Sequence, residues 1–397
     1  MFGKQGITFM IFFLSAKMLS PHDFGIYSYA LTAVLLLTMM GDFGISTATA
    51  KYVAEYNLGK NGKVNAVLFN TTIMIIVLAG GATALMLTFG RLYFGEIYVY
   101  VLYLIPLAFL VPLTSLYDGI YRGLKRFRKL ALISLGAGLI SIFFSYISIR
   151  VYGLEGALVA QNAIFLLLLI GLSLGYKGNS LVIDTDIMKT IGKFSLMIGL
   201  ATTSYFLFSR VAVFVLGKSG YLLEIATYEV LSKLVGLAFL PFAILASVLV
   251  PNIAEYYSIG EYGKIYTKFI RYTLVSALCA GLIGLLSYFV YPLIIDFLLP
   301  NYRGEIFAMM LVPVLLSQTA LIYSSLTNNL IILSPLYARR DMFLKGVLAL
   351  LNIPACIYLL NKIGYVGPIY ATTVITIIGI VYLQGSFFFY IRSKAGL

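Results

Sequence analysis

The sequence predicts an all-α, polytopic membrane protein of about twelve transmembrane helices, arranged as two six-helix bundles related by a parallel internal repeat. Three observations carry this. The 397-residue chain is 61% hydrophobic and only 11% charged, with a mean hydropathy of +0.98, too little charge to clothe a water-soluble core of this length. Mostly apolar runs of about 18 residues or more, the length that crosses a bilayer as a helix, recur from end to end and leave no room for a separate soluble domain. Between the runs, Lys and Arg gather in short clusters on alternate loops, which is the charge pattern of membrane topology.

Taken in order, the spans begin with residues 1–19, which carry Lys4 and are only just long enough to cross. The apolar stretch Ile7 to Leu14 does not read as a signal peptide, because Ser15-Ala16-Lys17 is a poor cleavage site and the rest of the chain is itself transmembrane. Either this helix is short or the natural start lies upstream. Lys17 alone marks the outer end, span 24–49 returns, and Lys51, Lys60 and Lys63 hold the next turn on the inside. Span 64–90 leads out to Arg91, and span 97–119 leads back to the basic loop Arg122, Lys125, Arg126, Arg128 and Lys129. That loop fits a topology signal that touches anionic lipid, and it also suits a gathering point for an anionic lipid-linked substrate.

Spans 130–149 and 154–175 bracket Arg150 and return to Lys177, Lys189 and Lys193. The second half repeats the scheme. Spans 191–216 and 222–250 flank Lys218 and end at Lys264, Lys268 and Arg271; spans 267–292 and 305–331 flank Arg303 and end at Arg339, Arg340 and Lys345; spans 342–360 and 365–391 flank Lys362 and end at Arg392 and Lys394. Both termini are therefore expected in the cytoplasm, in a multi-pass protein of the cell membrane. The net charge of +13 is spread over these clusters and forms no single patch, so nucleic acid is not an expected partner. Cys279 and Cys356 lie inside apolar runs without CxxC pairing, and His22 stands alone in a short loop, so no metal site and no cofactor are expected.

The halves echo each other. Ala54-Glu55-Tyr56 faces Ala254-Glu255-Tyr256; after one inserted residue Gly59, Gly62 and Lys63 face Gly260, Gly263 and Lys264; upstream, Tyr27 faces Tyr228. Near the end of each half, Gly153, Gly156 and Ala160 match Gly364, Gly367 and Ala371. An even number of spans separates equivalents, so the two copies share an orientation. The expected organisation is an N-terminal six-helix lobe over 1–176, a cytoplasmic linker over 177–190 and a C-terminal six-helix lobe over 191–397, with a substrate site between the lobes near mid-membrane.

Several motifs resemble one family. Leu19-Ser20-Pro21 with Asp23-Phe24-Gly25-Ile26-Tyr27, then Asp42-Phe43-Gly44-Ile45-Ser46-Thr47-Ala48 and Val53-Ala54-Glu55-Tyr56, resemble the opening two helices of the polysaccharide-transporter family. These are the Wzx-like flippases of lipid-linked oligosaccharides, within the multidrug/oligosaccharidyl-lipid/polysaccharide exporter superfamily that also holds the MATE transporters. Gly119 to Phe127 resembles the basic loop after helix four, and Tyr228 to Lys233 with Pro241 and Pro251 resembles helix eight. The resemblance spans nearly the whole chain and implies a MATE-like fold. It implies movement of a polyprenyl- or dolichyl-(di)phosphate-linked oligosaccharide from the cytoplasmic to the outer leaflet by alternating access, for cell-surface polysaccharide or glycan synthesis. Membrane lipids and other membrane proteins of polysaccharide assembly are the partners it implies.

Two basic residues fall inside apolar spans, Arg210 and Lys233. Arg210 lies about 10 Å from the outer end of its span at 1.5 Å per residue, where a charge must face a cavity, a partner or an anion. A guanidinium fork suits substrate phosphate; an ion pair within the protein, or snorkelling to the headgroups, are the alternatives. Lys233 is as deep, with Glu229 one turn earlier and placed for an i,i+4 pair; the lysine is either neutralised there or lines the cavity. Asp42 either binds a coupling proton or sodium ion or accepts hydrogen bonds from the backbone beside Gly41 and Gly44. Its Asp-Phe-Gly is a kinase motif without the glycine-rich and catalytic loops a kinase needs. Gln161, Asn162, Gln318, Asn328 and Asn329 contact sugar hydroxyls or bond helix to helix. Pro241 bends its helix, as a pivot or as a static kink.

Two other functions compete. A MATE-type antiporter of small molecules or cations favours an acidic cavity, which Arg210 and Lys233 oppose. A membrane glycan polymerase or ligase typically carries a substantial outward loop with acidic, Arg or His residues, whereas the longest here, Tyr291 to Gly304, has no His and one Asp. The protein is therefore not expected to be an enzyme.

Overall fold

In hydrocarbon every backbone N–H and C=O has to be satisfied within the chain, and helices do this segment by segment. The computed structural model describes residues 2–58, 64–176 and 182–396, and these are helical almost throughout, with no strand among them. Gly59, Lys60, Gly62, Lys63 and Lys177, which entered the repeat and the charge pattern, lie outside the described residues.

The helices are α1 (Phe2–Met18), α2 (Pro21–Asp42), α3 (Ile45–Leu58), α4 (Val64–Phe94), α5 (Tyr98–Leu104), α6 (Leu107–Gly123), α7 (Phe127–Gly175), α8 (Thr185–Lys218), α9 (Leu222–Ser258), α10 (Tyr262–Leu298), α11 (Glu305–Ile332), α12 (Pro335–Ile363) and α13 (Gly367–Lys394). Among the described residues, eight helical stretches are long and apolar enough to span a membrane, and α1 adds a shorter apolar helix, Gly6–Met18. The 49-residue α7 would be about 74 Å long if straight, more than twice the hydrocarbon thickness. The three longest stretches each contain a glycine with positive φ, namely Gly95, Gly153 and Gly364. Cut there, and with α1 added, the described chain makes the twelve segments expected, six from α1–α7 and six from α8–α13. Their outer faces are apolar: Phe297 is 85% exposed and Leu92 83%, which only a lipid solvent explains across so many positions.

Two expected single spans are broken. Span 24–49 divides at Phe43 and Gly44, both with positive φ, and the helix restarts as α3 under the carboxylate of Asp42. Span 97–119 divides at Ile105–Pro106 into α5 and α6, where proline has no N–H to continue the ladder.

The chain forms two compact units, Met1–Leu207 and Phe208–Leu397, so the division falls inside α8. Within the expected linker 177–190, residues 182–184 are non-helical and α8 already begins at Thr185. In the first unit Ile45, Ala48 and Val53 of α3 pack with Val67 and Ile75 of α4, Leu116 and Ile120 of α6, and Ile187 and Ile191 of α8. In the second, Ile253 of α9 packs with Ile265 and Phe269 of α10, Leu330 and Ile331 of α11, Tyr337 of α12 and Phe387 of α13. Val53 and Ile253 are the residues just before the two Ala-Glu-Tyr echoes, and both are fully buried. The polar copies around them are thus helix ends anchored by a buried aliphatic residue. Their basic side chains lie over aromatic rings, Lys51 over Phe194 at 4.3 Å in one unit and Lys264 over Tyr256 at 5.6 Å in the other.

The second echo is also written into the backbone. At Gly153 (φ 57°) and Gly364 (φ 70°) the helix gives way to a reversal with no intervening loop. Three residues on, a Cβ on Gly156 would stand 2.0 Å from the carbonyl oxygen of Ser148, and one on Gly367 would stand 2.3 Å from that of Leu359. The same spacing, eight residues back, makes the same close approach in both units, so glycine is required at the same place in each copy.

Candidate functional site

Arg210 lies about two turns before the end of α8, and Glu229 about two turns after the start of α9. The short connection at 219–221 makes the two helices antiparallel neighbours, which brings the side chains level. They form an ion pair through Arg210 Nη1 and Glu229 Oε1. The carboxylate is sunk, with 6% of its side chain exposed, while the guanidinium side chain keeps 26%. Lys233 is half-buried on α9, one turn beyond Glu229 on the same face. The sequence places Glu229 for a pair with Lys233 one turn on, and an ion pair within the protein is one of the alternatives for Arg210; in the structure the carboxylate meets Arg210 across two helices. The signal was available, since residues equidistant from a tight interhelical turn lie opposite each other.

These three residues carry a net positive charge inside an apolar helix pair. Tyr27 and Tyr228 set the local register of the repeat, and the flanking Lys17 and Lys218 keep it. In that register Phe9 stands where the other half has Arg210, Ser28 where it has Glu229, and Thr32 where it has Lys233. Ser28 and Thr32 are buried, and α1 and α2 form without any charge at those positions. The equivalent helix pair of the first half is thus built without ions at these positions.

The other polar candidates mostly bond helix to helix. Gln318 is fully buried on α11; its Oε1 accepts from Tyr291 Oη and its Nε2 donates to Ser287 Oγ at 2.9 Å, tying α11 to α10. Asn329 donates to the carbonyl of Ala246 on α9 at 2.8 Å. In the first unit Gln161 Oε1 accepts from Tyr27 Oη at 3.1 Å, and Asn162 Nδ2 donates to Tyr103 O at 2.7 Å. Such bonds satisfy intramembrane amides and join neighbouring helices. Asn328 is half-buried and makes no side-chain hydrogen bond to the described residues.

Asp42 Oδ1 accepts the Ser46 N–H at 3.1 Å and also the Ser46 hydroxyl, so the carboxylate serves the restart of α3. Pro241 lies on the exposed face of α9, which stays helical through both Pro241 and Pro251. A residue that sequence reading passed over is Asn352 of α12. Fully buried, it donates to the carbonyl of Phe208 at 3.0 Å and lies 3.1 Å from Thr372 Oγ1, pinning the segment of α8 that carries Arg210 against α12 and α13. Its mark in the sequence is an amide two residues before Pro354 in an apolar run.

Comparison with solved structures matches almost the whole chain. An inward-facing multidrug resistance MATE family transporter of the MOP superfamily is similar over 99% of this chain and 96% of its own, with a TM-score of 0.78 at 13% identity. Lipid II flippase MurJ, in an inward closed conformation, is similar over 99% and 89%, with a TM-score of 0.70 at 16% identity. A MOP superfamily transporter from Pyrococcus furiosus is similar over 99% and 96%, with a TM-score of 0.59 at 15% identity. At these identities the likeness establishes the fold. A search among curated proteins finds no match. The model of the family described as polysaccharide biosynthesis protein matches residues 1–257.

Proposed function

From the premise that the chain belongs to the polysaccharide biosynthesis protein family, we propose that it is a flippase that carries a lipid-linked oligosaccharide across the membrane by alternating access. The substrate is a sugar chain on a polyprenyl or dolichyl (di)phosphate, taken from the cytoplasmic leaflet and delivered to the outer one, with both termini of the protein in the cytoplasm. The observation that carries this reading is the net positive set of half-buried Arg210 and Lys233 with buried Glu229, on apolar helices where the duplicated half has Phe9, Ser28 and Thr32. An ion set that the equivalent helix pair does without is retained for a ligand, and its sign selects an anion. Arg210 supplies the fork for phosphate oxygens and Lys233 a second positive charge. Asn328 is the amide best free to meet a sugar hydroxyl. Gln161, Asn162 and Gln318 keep the helices in place, and Pro241 gives α9 room to bend.

The similarity to lipid II flippase MurJ supports a lipid-linked substrate, since a chain of the same fold is named for one. The similarity to MATE family transporters supports the second reading, an antiporter of small molecules or cations. Flipping is a movement without bond making, so the reading assigns no catalytic residue and no cofactor. The test is Arg210→Gln in proteoliposomes holding a fluorescent lipid-linked oligosaccharide. Transbilayer movement is expected to be lost while expression stays intact. Wild-type movement by that variant would remove Arg210 from the mechanism, and export of a small cation such as ethidium without lipid flipping would favour the antiporter.

A further inference from the structure

The ion pair between Arg210 and Glu229 has properties that bear on how an anion enters and leaves. Its carboxylate is almost completely buried, whereas the guanidinium keeps a quarter of its side chain accessible. An incoming anion therefore meets the cation before it meets the carboxylate. Carboxylate and phosphate oxygens use the guanidinium in the same way, through charge-assisted hydrogen bonds along its fork. A phosphate that takes Arg210 is thus in competition with Glu229.

Glu229 has somewhere to go. Lys233 lies one turn farther along the same face of α9, at the i,i+4 spacing at which a glutamate meets a following lysine. In the duplicated half Ser28 and Thr32 hold the corresponding buried positions without charge. Asn352, donating to the carbonyl of Phe208, holds the neighbouring turn of α8 in place, so an exchange at Arg210 requires the side chains to move and not the helix.

We propose that Glu229 is a built-in stand-in for the substrate's phosphate. It holds Arg210 while the site is empty, turns to Lys233 when a lipid diphosphate takes the guanidinium, and retakes Arg210 to expel the phosphate on release. The proposal rests on the reading of this site as a phosphate site. It makes Glu229 the residue that sets affinity and turnover against each other. If the resting protein holds Arg210 paired in about nine of ten molecules, apparent affinity for the diphosphate is about tenfold weaker than the bare site would have.

The experiment uses the full chain in phosphatidylcholine nanodiscs, whose lipid has no net negative headgroup, with geranylgeranyl diphosphate as the probe. Glu229→Gln removes the competing charge, and it is expected to bind the probe about tenfold more tightly than wild type while flipping a lipid-linked oligosaccharide more slowly. Arg210→Gln is expected to lose binding. Unchanged or weaker binding by Glu229→Gln, with binding lost in Arg210→Gln, would reduce Glu229 to a fixed partner and overturn the exchange while leaving the phosphate site intact. Wild-type binding by Arg210→Gln would bring down the phosphate site itself. Glu229→Asp, which keeps the charge on a shorter arm, serves if the glutamine variant fails to fold; it should also bind more tightly than wild type, and wild-type or weaker binding overturns the proposal. Replacing part of the lipid with phosphatidylglycerol should leave the probe's affinity unchanged. Loss of probe binding there would assign the site to membrane lipid and overturn it as well.

Discussion

Replacing Gly156 by alanine tests the loop-free reversal that both halves share. The added Cβ would stand 2.0 Å from the Ser148 carbonyl oxygen, whereas an ordinary contact begins near 3.4 Å. The obstacle is backbone, so the two helical segments flanking Gly153 have to separate by more than an ångström. Overpacking of this kind costs about 1–3 kcal/mol. Separation also strains the hydrogen bond that Ser148 Oγ donates to Gly156 O at 3.0 Å, which is worth about 1 kcal/mol. Gly156→Ala is therefore expected to destabilise by about 2–4 kcal/mol, less up to about 1 kcal/mol returned by alanine's better helix propensity. Gly367→Ala meets the Leu359 carbonyl at 2.3 Å, and leucine has no hydroxyl to donate, so the expected loss there is smaller, about 1–3 kcal/mol. Gly81→Ala is the control: its Cβ meets nothing within 4 Å, and the change should be neutral or stabilising by up to about 1 kcal/mol. Reversible unfolding of the three variants in mixed micelles, followed by circular dichroism, gives the differences. Gly156→Ala as stable as Gly81→Ala would mean that the reversal has room to open, and that close approach at glycine is not what holds these helices together.

The remaining expectations concern single side chains. Gln318→Leu leaves Tyr291 and Ser287 without their shared partner and should cost about 1–2 kcal/mol in the same unfolding assay; no loss would mean that water or a neighbouring group replaces the amide. Asp42→Ala removes the acceptor for Ser46 and should cost about 1 kcal/mol, while Asp42→Asn keeps a side-chain oxygen there and should cost less. Transport by Asp42→Asn should also keep the wild-type response to proton and sodium gradients, and loss of that response would give Asp42 the ion-coupling role instead.

Much of the fold is legible without coordinates because lipid is a demanding solvent. Each crossing must be apolar over its full length and must satisfy its own backbone, so the spans stand out by composition and their order by the alternation of basic clusters. Breaks within a span are less visible. Phe43 is an ordinary apolar residue in the row, with nothing in its type to announce the positive φ it takes as the cap of α2 beside the Asp42–Ser46 contact. Ile105-Pro106 carried a proline signal, yet membrane helices tolerate proline, as α9 does at Pro241 and Pro251, so the residue alone does not tell a break from a bend.

The apolar runs, the basic clusters and the echoes between the halves are one-dimensional patterns, and they were enough to indicate helices, their number, the duplication and the family resemblance. The polar residues are different. Composition marks Arg210, Lys233, Gln318 and Asn352 as costly in hydrocarbon, but their partners depend on how each helix is rotated and how far it slides along its neighbour. Antiparallel packing of α8 on α9 turned Glu229 toward Arg210, and packing of α11 on α10 enclosed Gln318 between Ser287 and Tyr291. A hydrogen bond or ion pair is lost within an ångström or two of misplacement, whereas burial against lipid tolerates any rotation that keeps an apolar face outward. For that reason the crossings can be read from the string, and the contacts inside them only from the packed helices.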